Sequence, residues 1–123
     1  MAMRFIKAST FKRTVKVKLA SPDKPDQFAH GQFIATFHKP KMEELEELTN
    51  SGSRGEDESR LAPIRHCLTR FLSGVEGIDD ESGEKMDAGA QLEIVLSEAE
   101  LAIPAHAEFW RAINSMAEVK KGN

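Results

Sequence analysis

Five side chains in this sequence are of the types that take up protons near neutral pH or attack electrophiles: His30, His38, His66, His106 and the single Cys67. A nucleophile needs a base beside it, and the base needs a third group to orient it. The four histidines fall in four separate stretches, so no triad pattern emerges. His66 and Cys67 are adjacent, but neighbours on a helix point about 100° apart and do not face each other. One cysteine among scattered histidines has no zinc spacing. Asp79-Asp80-Glu81-Ser82-Gly83 puts its glycine one place too early for a calcium loop begun at Asp79. No glycine-rich phosphate loop is present. The expectation is therefore a protein without catalytic, metal-ligating or cofactor-binding residues, one that works by binding other proteins.

The elements that would position such a surface fit one domain. A chain of 123 residues with 40% hydrophobic and 30% charged side chains has the size and balance of a single folded core, residues 1–123. One cysteine cannot form an internal disulfide, and no run approaches signal-peptide or membrane-span length, so the cytoplasm is the expected compartment. Net charge is −3, but it is unevenly placed: residues 1–41 carry nine Lys or Arg against two Asp, about +7, and residues 42–123 carry about −10. Such bipolarity suits head-to-tail association of copies or docking of oppositely charged partners.

Thr14-Val-Lys-Val-Lys-Leu19 alternates polar and apolar, which predicts a half-buried strand with Val15, Val17 and Leu19 inward. After turn formers at 20–26, Gln32 to His38 resumes β character, with Phe33, Ala35 and Phe37 on one side. Together these predict an antiparallel hairpin over 10–38, and a helical part is expected over 40–118. Pro40 suits a first helical turn ahead of Met42, Leu45 and Leu48. Residues 49–59 read as a mobile loop. Leu61, Ile64, Leu68, Phe71 and Leu72 predict a second helix, with Gly74 as its left-handed C-terminal cap. A compact acidic turn spans Gly77–Gly83, and a third helix spans Ala88–Leu96. Ile103-Pro104 is expected to open a last helix whose stripe is Ala107, Trp110, Ile113 or Asn114, and Met116-Ala117. Residues 119–123 read as a frayed tail. The candidate core is Val15, Val17, Phe33, Phe37, Leu68, Phe71, Trp110 and Ile113, in an α+β fold of a hairpin followed by about four helices.

Lys12, Arg13, Lys16 and Lys18, with Phe11 nearby, would give nucleic acid a cationic stripe and one stacking ring. Lysines on an outer strand face are also the usual guard against sheet aggregation, and the overall charge is acidic, so neither a nucleic acid nor a membrane partner is expected.

Phe71-Leu-Ser-Gly-Val-Glu-Gly-Ile-Asp-Asp-Glu-Ser-Gly-Glu-Lys-Met86 resembles the middle of tail assembly chaperones from long-tailed bacteriophages. There a helix end is followed by apolar, Gly, aromatic, Gly, apolar, Asp, acidic, Gly. Gly74, Gly77, Ile78, Asp79, Asp80 and Gly83 carry the match, while Glu76 stands where the family often has Trp. The order of hairpin, acidic helix, long helix, turn and two closing helices extends the resemblance over residues 10–118. It implies a non-enzymatic helper in the infected or lysogenic host cytoplasm, absent from the mature virion. Its partners would be the tape measure protein, which it coats, and tail tube subunits, which it recruits. The family also implies a ribosomal slip near the stop codon, for which Lys120-Lys121 is the candidate position. The alternatives are a small basic-faced nucleic-acid-binding or regulatory protein and a structural tail-completion protein; a gene lying between those for tail tube and tape measure would favour the chaperone.

Overall fold

The computed structural model describes Met3 and residues 8–52 and 61–117. Two eleven-residue strands, β1 (Thr10–Ala20) and β2 (Phe28–His38), pair antiparallel along their whole length, from Thr10 opposite His38 to Ala20 opposite Phe28. The period-two pattern sorts their side chains as expected: Val15, Val17, Phe33, Ala35 and Phe37 are buried, and Leu19, farther out on the same face of β1, is partly exposed. In the connecting loop, the Ser21 hydroxyl accepts from the amides of Asp23 and Lys24, and Asp26 takes the left-handed conformation that Asp tolerates better than most residues.

Helix α1 (Met42–Gly52) follows. The Lys41 amide donates to the Glu44 carboxylate at 2.8 Å, a capping-box contact, so Pro40 lies outside the first turn rather than in it. The helix runs through Gly52, which corrects the loop expected over 49–59: residues 49–52 are helical, and the remainder of that loop lies outside the described residues. So do the expected tail at 119–123 and Lys120-Lys121.

Helix α2 (Leu61–Phe71), with Pro63 in its first turn, passes without a connecting loop into a third strand, β3 (Leu72–Glu76), on the far side of β2. The expected helix end at Gly74 is therefore corrected. Gly74 is strand residue, paired with Thr36, and its φ is not positive. The cause is the pairing itself. A bulge at Thr36/Phe37 leaves Ser73 as the extra residue, which turns both Leu72 and Val75, three apart, into the core.

Helices α3 (Ala88–Ser97) and α4 (Ala99–Ala117) are separated only by Glu98, whose carbonyl accepts from Leu101 and Ala102. Ile103-Pro104 thus does not open the last helix; Pro104 lies inside it, near its start. The buried face of α4 is Leu101, Ala105, Glu108, Phe109 and Ala112. That face is rotated from the expected stripe: Ala107 and Met116 are exposed, and Trp110 and Ile113 are only partly buried at the edge. Small alanines face the sheet because they let helix and sheet approach closely, and Phe109 fills the remaining volume. Its ring lies 5.3 Å from Phe37, 5.4 Å from Phe71 and 6.4 Å from Phe11. Leu68, Phe71 and the buried strand residues complete one continuous core. No helix among the described residues is long and apolar enough to cross a membrane.

Candidate functional site

Five of the six residues that carry the resemblance, Gly77, Ile78, Asp79, Asp80 and Gly83, lie in the Gly77–Asp87 turn between β3 and α3, and Gly74 lies in β3. Gly77 and Gly83 both have strongly positive φ, 97° and 87°, where a Cβ strains the backbone. Asp79 bridges to Lys85, and the Asp80 carboxylate accepts from the Ser82 hydroxyl and from the amides of Ser82 and Glu84. These donors hold the Asp80 carboxyl below its ordinary range, with the Ser82 hydroxyl the largest cause. The turn is anchored by Gln91 of α3: its Oε1 accepts from the Ile78 amide at 2.9 Å, and its Nε2 donates to the Met86 carbonyl at 2.7 Å. Asp87 caps α3 by accepting from the Ala90 amide. Gln91 escaped the sequence reading; the available signal was an amide side chain on the inward face of an apolar helix. Apart from the Ser82 hydroxyl on Asp80, the hydrogen bonds named here hold backbone groups in place.

The titratable candidates separate. His30 and His38 lie on the outer face of β2, and His66 is exposed on α2 while its neighbour Cys67 is buried. Burial pushes the Cys67 thiol up to about 12, which keeps it protonated and unreactive. His106 and Trp110 of α4 reach the same small cavity as Cys67, about 220 Å³, which Leu48, Thr49 and Pro63 also line. His106 Nε2 accepts from the Trp110 indole N–H at 3.0 Å, and burial lowers the imidazole pKa. No group of three or more metal-ligating side chains occurs among the described residues.

The expected cationic stripe divides. Phe11 and Arg13 have the parity of Val15 and Val17 and point inward: Phe11 packs against Phe37, and Arg13 meets the buried Glu108 with Nε at 2.8 Å and Nη2 at 2.5 Å. Arg111 binds the other oxygen of the same carboxylate, so Glu108 is held by two guanidinium groups and fastens α4 to β1. This pair too was missed, although the parity of Arg13 announced it.

The chain matches no protein-family model, no curated protein and no solved structure.

The outer face of the sheet is covered by no described element. Lys12, Lys16 and Lys18 stand on it with His30, His38, Ile34 and Phe28, the last 56% exposed. Lys12 is paired with Glu76 of β3 at 3.2 Å. On the opposite, helical side, Glu43, Glu46, Glu47, Glu93, Glu98 and Glu100 are exposed, and Arg70 ties Glu44 and Glu47 of α1 to α2. Of the basic stretch, Lys12, Lys16 and Lys18 thus stand on the outer sheet face, while Arg13 turns to the helical side.

Proposed function

We propose that this chain is a non-enzymatic tail assembly chaperone of a bacteriophage or prophage, acting in the bacterial cytoplasm by holding a tape measure protein and bringing tail tube subunits to it. The observation that carries the reading is the Gly77–Gly83 turn. The residues on which the resemblance rests include the two positive-φ glycines and the aspartate that closes the loop, so they are residues this fold needs. Residues held for such a reason shape the backbone rather than bind a ligand, which supports the resemblance as a likeness of form. A sheet covered on one side and basic on the other, opposite an acidic helical side, is suited to weak, reversible contact with a long polypeptide.

Co-expression with the tape measure protein encoded beside it tests the proposal. The expected outcome is a soluble complex with a partner that is insoluble alone. A tape measure protein equally soluble with and without this chain defeats it.

A further inference from the structure

The free edge of β1 has a definite hydrogen-bonding parity. Beyond the strand ends, the Lys39 amide donates to the Ser9 carbonyl and the Ser21 amide donates to the Gln27 carbonyl, so both flanking pairs are of the closely bonded kind. In an antiparallel ladder these alternate with non-bonded pairs, and the odd-numbered residues of β1 therefore turn their N–H and C=O toward β2. Thr10, Lys12, Thr14, Lys16, Lys18 and Ala20 turn theirs to the open edge. The structure bears this out at one end: the Ala20 amide donates to the Glu100 carboxylate of α4 at 2.6 Å. Among the described residues the other five have no strand beside them, and all five are exposed. Their side chains lie on the outer sheet face, so the row of unpaired backbone groups runs beside Lys12, Lys16 and Lys18.

We propose that this edge is a docking site for an extended, acidic polypeptide segment, which adds to the sheet as a fourth strand beside β1. Backbone groups on alternate residues give such a strand its register. Side chains on its outer face would stand about 4.5–5.5 Å from those of β1, where carboxylates pair with the lysines. Lys16 and Lys18 have no carboxylate partner among the described residues, whereas Lys12 already has Glu76. The same lysines disfavour a second copy in the register centred on Thr14. Two β1 strands paired antiparallel about Thr14 would set Lys12 opposite Lys16 twice, and like charges directly opposed are destabilising. Nucleic acid is disfavoured because the ring and the guanidinium expected within the stripe, Phe11 and Arg13, point inward, which among the described residues leaves Phe28, at the Ala20 end of the hairpin, as the exposed phenyl ring on this face. Glu100 closes the Ala20 end, so a strand would register against Thr10–Lys18.

The inference stands apart from the chaperone reading, since it is tested with this protein and a synthetic probe alone. A fluorescent peptide alternating Glu with Val and Thr is titrated against the purified chain, beside the same peptide with Lys in place of Glu and a single-stranded DNA oligonucleotide. The acidic peptide is expected to bind one to one and the others not. Thr14→Pro removes one outward N–H and no hairpin hydrogen bond, and leaves the lysines in place; it should weaken binding by roughly tenfold or more with the melting curve nearly unchanged. Lys16→Glu with Lys18→Glu should abolish binding. Amide exchange in the unmutated protein gives a readout that does not depend on the proline variant folding: the amides of Lys12, Thr14, Lys16 and Lys18 should exchange fast in the free chain and slow on saturation. Protection elsewhere, equal binding of the basic peptide or DNA, or a folded Thr14→Pro that binds like the parent overturns the proposal. So does concentration-dependent self-association through β1 that Thr14→Pro abolishes.

Discussion

Phe109 and Trp110 are consecutive in α4, and they stand for two regions held together in different ways. Beneath the sheet, Phe109 is fully buried against the rings of Phe37 and Phe71. At the rim, Trp110 is half-buried and donates its indole N–H to His106 beside a small cavity. The margin at the Gly77–Asp87 turn resembles the rim: it depends on Gln91, Asp80 and two glycine conformations, with little apolar volume. Shape complementarity of apolar side chains secures the centre, and directional contacts secure the margins. The centre should therefore respond to lost volume and the margins to lost geometry.

The largest effect is expected at the centre. Phe109→Ala should cost about 3–5 kcal/mol in urea unfolding, the range for a fully buried aromatic, and Trp110→Ala about half of that because the indole is partly exposed. Equal losses at the two positions would erase the distinction between core and rim. Gln91→Leu keeps the volume but leaves the Ile78 amide and the Met86 carbonyl without their partner, and should cost about 1–3 kcal/mol. A neutral Gln91→Leu would mean that packing, and not the amide, anchors the turn.

Two glycines sharpen the comparison further. Gly77→Ala meets no atom closer than 3.7 Å, so the expected loss of about 1–2 kcal/mol comes from the positive φ alone. Gly74→Ala, in ordinary strand conformation with Thr36 Cβ at 3.6 Å, should be nearly neutral, within about 0.5 kcal/mol. A large cost at Gly74 and none at Gly77 would restore the helix cap expected from the sequence and remove the strand.

The smallest effect is that of pH at the rim. Burial lowers the His106 pKa below its ordinary 6.5, so between the two values the unfolded chain binds more protons than the folded one. Stability from this group is unchanged above about 6.5 and falls as pH drops below it. Urea midpoints taken through pH 7.5 to 5 should show a decline that His106→Gln reduces. An identical pH profile in that variant would show that other groups set the acid limb.

Much of this was legible in the residues. Strict alternation in β1 and β2 determined the hairpin and its inward face, because a strand has period two and only one face of this sheet is covered. The same parity put Lys16 and Lys18 outside, but the expected stripe counted Arg13 with them although its odd position shares the inward face of Val15 and Val17. Gly77 and Gly83 marked a turn because few other residues tolerate positive φ. β3 was not legible: five residues that follow a helix without a break carry no local strand signal, and they become a strand only because β2 offers them an unpaired edge. The inward face of α4 was equally a tertiary decision. Size ranked Trp110 and Met116 above Ala105 and Ala112, yet what a helix buries against a sheet is set by how closely the two backbones can approach, and there the small residues and one well-placed ring prevailed. Sequence determines which residues can serve a face; the partner surface decides which face is used.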